Sequence, residues 1–104
     1  MILTNIESTP GKKIMEHFGL VCGSTVRAKN AFKDMGAGLK NIMGGELKSY
    51  TALMEESRRQ AIERMEEQAR QLGANAIINV RFSTSNIAPG AAELYVYGTA
   101  VKVE

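Results

Sequence analysis

The stretch Gly44-Gly45-Glu46-Leu47-Lys48-Ser49-Tyr50-Thr51-Ala52-Leu53-Met54-Glu55-Glu56-Ser57-Arg58-Arg59-Gln60-Ala61-Ile62-Glu63-Arg64-Met65-Glu66-Glu67-Gln68-Ala69-Arg70-Gln71-Leu72-Gly73 decides how the rest of the chain is organised. Leu47, Tyr50, Met54, Ala61, Met65, Ala69 and Leu72 recur three, four or seven residues apart, so they form one apolar stripe on a helix. Glu55 with Arg59, Arg59 with Glu63, and Glu66 with Arg70 stand four apart on the solvated side, each pair worth about 0.2 to 0.5 kcal/mol. Gly44-Gly45 interrupt the chain before the stripe, and Gly73 is the residue type favoured just past a helix C-terminus. The spacing predicts a helix from about Glu46 to Leu72, about 39 Å long at 1.5 Å per residue. A compact domain of about 100 residues has a radius of gyration of only about 13 Å, so this helix spans or overhangs its own domain.

Strand patterns flank it. Ile2 to Ile6 reads as a short strand ended by the turn Ser8-Thr9-Pro10-Gly11. From Lys13, the even positions Ile14, Phe18, Leu20, Cys22 and Val26 are apolar, whereas His17, Gly19, Gly23, Thr25 and Arg27 are small or polar. That period near two predicts a long strand, bent or bulged at its glycines, with the even residues facing the core. Ala31 to Met43 has helical spacing weakened by Gly36 and Gly38 and reads as a short, irregular helix. Beyond the long helix, Asn75 to Thr84 alternates with Ala76, Ile78, Val80 and Phe82 on one face, and Ser85 to Gly90 reads as a turn. The last strand, Ala92 to Val103, is apolar on both faces, with Leu94, Val96 and Ala100 on one and Tyr95, Tyr97, Val101 and Val103 on the other.

These elements predict one α+β domain over residues 1–104, with the helix packing on Ile78, Val80, Leu94 and Val96 of a small antiparallel sheet. One helix covers one face of such a sheet. The opposite face of the last strand then lies in water unless another copy covers it, which places Tyr95, Tyr97, Val101 and Val103 in an expected subunit interface.

Composition narrows the function classes. The chain has 44% hydrophobic and 23% charged residues with only two prolines, which is globular usage. Thirteen basic against eleven acidic residues is too even a balance for a nucleic-acid binder. Residues 1–48 hold seven basic and four acidic side chains, which favours at most a small anion near the helix start. No apolar run reaches the roughly 20 residues of a membrane helix, and the N-terminus lacks the basic start and apolar core of a signal peptide. With Cys22 as the single cysteine, a reducing cytoplasm is the expected location.

Three stretches together resemble the uncharacterised YbjQ-like family of bacterial proteins: Gly38-Leu39-Lys40-Asn41-Ile42-Met43-Gly44-Gly45-Glu46-Leu47-Lys48-Ser49-Tyr50, Ala69-Arg70-Gln71-Leu72-Gly73-Ala74-Asn75-Ala76-Ile77, and Tyr97-Gly98-Thr99-Ala100-Val101. The resemblance runs nearly end to end. It implies a β-α-β-β subunit similar to dodecin, assembled as a pentameric ring, and a heavy-metal-binding label; it brings no catalytic residues.

Soft metal ions prefer thiolate, thioether and imidazole ligands. One chain offers only Cys22 and His17, so a four-ligand site cannot be closed by its Cys and His alone, and the two have opposite parity on an uninterrupted strand. A bulge at Gly19 restores them to one face, and ring symmetry gathers copies of Cys22; otherwise Cys22 reads as a small core residue. A separate candidate anion site consists of Gly44 and Gly45 at the helix start with Lys40 and Lys48 nearby. No nucleophile, base and oxyanion set can be named, so the reading is a homo-oligomeric binding or structural module with a soft metal ion or small ligand. The alternative is a small enzyme whose site is shared between subunits.

Overall fold

The computed structural model of the chain describes residues 1–28, 43–89 and 91–104. Along the chain come β1 (Ile2–Leu3), β2 (Ile14–Ala28), α1 (Met43–Leu72), β3 (Ala76–Ala88) and β4 (Ala91–Val103). The predicted long helix is present but begins at Met43, so Gly44 and Gly45 lie inside its first turn. Its end is as predicted: Gly73 adopts φ 93°, and its N–H and that of Ala74 donate to the carbonyls of Arg70 and Ala69. The short helix expected over residues 31–43 lies outside the described residues except for Met43. β3 continues past the expected turn to Ala88, which pairs with Ala91.

The strands form one sheet in the order β1-β3-β4-β2. The expected antiparallel sheet is instead mixed, because β1 runs parallel to β3. β2 and β3 both pair antiparallel with β4 and are therefore parallel to each other on either side of it. Parallel strands of one sheet need a long crossover, and α1 forms part of it across one face. At 30 residues and about 45 Å the helix sets the long dimension of the molecule, whose radius of gyration is 16.8 Å and longest extent 54 Å.

The helix face of the sheet differs from the one the alternation predicted. Val21, Ala61, Met65, Ala69, Ala74, Ile77, Val96 and Ala100 form one buried cluster, with Leu3, Phe18, Ile62 and Val80 against it. On β2 it is thus Val21, Gly23 and Thr25 that face α1, while Leu20 and Val26 are 69% and 49% exposed. The cause is a close approach. A Cβ on Gly23 would stand 2.1 Å from the carbonyl oxygen of Ala61 and 2.6 Å from the backbone nitrogen of Met65. Around Gly23 small residues therefore mark the packed side of β2, and Leu20 and Val26 are left outside although Phe18 and Val21 pack toward the helix.

Bulges account for the other changes of face. β3 advances from Ile78 to Arg81 while β4 moves only from Thr99 to Tyr97, and Asn79 takes φ 53° at the irregularity. Ile77 and Val80 consequently face the helix, whereas Ile78, expected under it, lies on the far side. There Ala76, Ile78, Val101 and Val103 form a second buried cluster with Ile14. β1 and β2 occupy opposite edges, so the link between them crosses β3 and β4, and the burial of this cluster marks the face it crosses. Thr9 within the link is buried, and Lys13 and Glu104 exchange backbone hydrogen bonds at its end. Val101 and Val103 are thus covered within one chain, contrary to the expectation that they await a neighbour.

Met65 is fully buried between helix and sheet, so Met65→Asp is expected to destabilise the fold by about 3 kcal/mol or more through an unpaired buried charge. Gly23→Ala is expected to cost about 1 to 3 kcal/mol by forcing α1 away from β2. Urea unfolding measures both, and wild-type stability in either variant contradicts the packing described.

Candidate functional site

The sheet face opposite α1 has two halves. One is the second cluster beneath the β1–β2 link; the other is open and carries the sulfur. Strand alternation places Leu20, Cys22, Ser24 and Val26 of β2 on it, beside Tyr95 and Tyr97 of β4. Cys22 is paired across with Tyr97, and Tyr97 in turn with Arg81 of β3; the next row is Ser24, Tyr95 and Ser83. The two tyrosine rings lie 5.6 Å apart at an interplanar angle of 31°. Cys22, Tyr95 and Tyr97 are all half-buried.

Cys22 is held from both sides. Its backbone N–H, directed to the free edge of β2, donates to Gln68 Oε1 of α1 at 2.7 Å. Arg64 donates to the Ser24 carbonyl at 2.5 Å, and Arg27 donates to Gln60 Oε1 at 2.9 Å. On the sheet face, the neighbouring Cys22 side chain pushes the Tyr95 phenol above its ordinary range; burial and the nearby charge of Glu93 act in the same direction. A thiol with phenols in its own and the adjacent row offers a soft and a hard donor type, short of the ligand number of a closed metal site.

The bulge expected at Gly19 is present: Gly19 has φ 104°, and the register shifts between His17 and Gly19. His17 pairs with Val101 and Cys22 with Tyr97, so both lie on the same face, as the bulge allows. Four residues of β4 separate their partners, about 13 Å at 3.3 Å per residue. The exposed His17 therefore shares a face with Cys22 but not a coordination sphere. Among the described residues no group of three or more His, Cys, Asp and Glu is placed to hold a metal ion. Of the anion candidates, Gly44 and Gly45 belong to the first turn of α1, and Lys40 lies outside the described residues.

The sequence points to Cys22, Tyr95 and Tyr97 separately, and it is the strand register that joins them. The parity of the tyrosines was visible, but their register against Cys22 depends on the β2 bulges. Gln68 and Arg64 read as solvated helix residues because nothing local announces that α1 runs along a strand edge.

The family pattern described as "Putative heavy-metal-binding" matches residues 1–104. A UPF0145 protein of Hahella chejuensis is 64% identical over the whole of both chains. One from Acinetobacter baylyi is 61% identical over 91% of this chain and 88% of its own, and one from the archaeon Halorubrum lacusprofundi is 54% identical over 99% of each. A crystal structure of a protein of unknown function from Pediococcus pentosaceus, assigned to the DUF74 family, superposes with a TM-score of 0.65 at 18% identity, covering 100% of this chain and 98% of that one, and so shares the fold. Matched from its first residue to its last, the chain belongs to the YbjQ-like UPF0145 family, whose members extend from bacteria to archaea.

Proposed function

We propose that the protein is a cytoplasmic, homo-oligomeric binding module in which the open sheet faces of several copies meet and pool their Cys22 sulfurs for a soft metal ion. The observation that carries this reading is the placement of Cys22 in the row of Tyr97, next to the row of Tyr95, on the face that α1 does not cover, flanked by the exposed apolar residues Leu20 and Val26. One chain supplies one thiolate, whereas thiophilic ions take several, so the site is completed by further copies. The heavy-metal description of the family supports the ligand class. A dodecin-like pentameric ring is the assembly that the family resemblance implies, with Tyr95 and Tyr97 at the interface. Covering a few hundred Å² of apolar surface at ~25 cal/mol per Å² contributes several kcal/mol per contact, enough to hold such an assembly.

Two measurements test it. Light scattering is expected to give an oligomer for wild type and a smaller species for Leu20→Glu with Tyr97→Glu, with the far-ultraviolet circular dichroism retained; a monomeric wild type removes the reading. Cu(I) titration is expected to show binding by wild type that falls at least tenfold in Cys22→Ser and in the dissociated variant. Equal binding by wild type and Cys22→Ser eliminates the sulfur as a ligand.

A further inference from the structure

A cleft of about 280 Å³ opens between α1 and the distal part of the sheet, on the opposite face from Cys22. Its floor departs from the pattern of the core. Nearer the core, the rows beneath α1 are apolar: Ile77 pairs with Ala100, and Phe82 with Val96. Further out, the next helix-facing row is Thr25, Leu94 and Thr84, followed by Arg27, Ala92 and Asn86. The two rows thus bring two hydroxyls, an amide and a guanidinium to a surface whose neighbours serve only to pack a helix. All six residues line the cleft.

The polar groups are partly committed in a way that leaves an orientation. Thr25 Oγ1 donates to the Ser57 carbonyl at 3.2 Å and is fully buried at the base. Arg27 is half-buried, and its guanidinium is steadied by Gln60 at 2.9 Å and, more weakly, by the Val26 carbonyl at 3.4 Å. A guanidinium carries five N–H donors, so most remain for another acceptor. Thr84 and Asn86 stand exposed at the rim across β4, Asn86 in the row of Arg27 and Thr84 in the adjacent row of Thr25. A recessed volume with one fixed cation, hydroxyl and amide groups on the facing wall and an apolar contact from Leu94 has the composition of a small-ligand site. Arginine is suited to a carboxylate, which it holds with two parallel hydrogen bonds.

We propose that this cleft binds a small hydroxylated carboxylate, with Arg27 on the carboxylate and Thr84 and Asn86 on the hydroxyl groups. The site is separate from the Cys22 face and does not depend on metal binding or on assembly. Malate and glycerate are the probes, with succinate as the carboxylate that lacks a hydroxyl. Titrated into the full-length wild-type protein, malate or glycerate is expected to give saturable amide chemical-shift changes confined to residues 25–27, 84–86 and 92–94. Arg27→Gln is expected to weaken binding at least tenfold, and Thr84→Val about threefold. The rim position of Thr84 leaves the melting temperature of that variant at the wild-type value, separating a lost contact from a lost fold. No saturable binding at millimolar probe, shifts centred elsewhere, or equal affinity in Arg27→Gln each overturns the proposal. Succinate binding as tightly as malate overturns the role given to Thr84 and Asn86.

Discussion

Two backbones meet at Gly23, and this contact sets the depth at which the helix packs on the sheet. With no side chain at that point, α1 settles onto β2 until the strand lies against the Ala61 carbonyl and the Met65 amide. That depth explains why the helix face over the sheet is built from Ala61 and Ala69, with Met65 as the one long side chain filling the space between them. It also explains why Ser57 is buried one helical turn earlier. There the hydroxyl bonds back to the Leu53 carbonyl, while the Ser57 carbonyl accepts from Thr25, so both polar groups are satisfied inside the contact.

The same approach sets the helix along the free edge of β2. Gln60, Arg64 and Gln68 stand four residues apart and bond Arg27, the Ser24 carbonyl and the Cys22 amide respectively, so helix and strand run in opposite directions with matched spacing. Edge strands expose unpaired donors and acceptors that invite pairing with other chains, and side chains from a covering helix are one way of blocking them. Here the blocking groups also hold the backbone of Cys22 in place. The solvated flank of α1 carries Arg59 bridged to Glu56 and Glu63; the Arg59 guanidinium holds the Glu56 carboxyl below its usual range, with Gln60 and the charge of Arg27 acting in the same direction, and such exposed pairs add little to stability.

The sheet is divided by what crosses it. One face takes the helix along β2 and β4. The other takes the β1–β2 link only at the end where Val101 and Val103 lie, and leaves the end bearing Cys22, Tyr95 and Tyr97 open. This division follows from strand order: with β1 and β2 at opposite edges, a short link reaches across only one end of the sheet. The candidate sulfur site and the apolar residues around it are therefore by-products of topology as much as of local sequence.

The long helix, its end at Gly73, the long strands on either side and the two-faced character of β4 are legible in the amino-acid order, because each rests on periodicity or on the conformational freedom of one glycine. Family membership was likewise legible in the Gly-Gly, Leu-Gly-Ala and Tyr-Gly-Thr stretches. Tertiary structure alone decided which face of each strand is inside. Alternation reports that a strand has two faces, but Leu20 and Val26 look more like core than Gly23 and Thr25 until the helix backbone is known to lie where a side chain would be. A one-residue bulge then exchanges the faces beyond it, as at Asn79 and before Gly19, and so sends Ile78 away from the helix and brings His17 to the side of Cys22. Depth of packing and strand register arise from contacts between residues far apart in the chain, such as Cys22 with Gln68 and with Tyr97, and no local pattern encodes them.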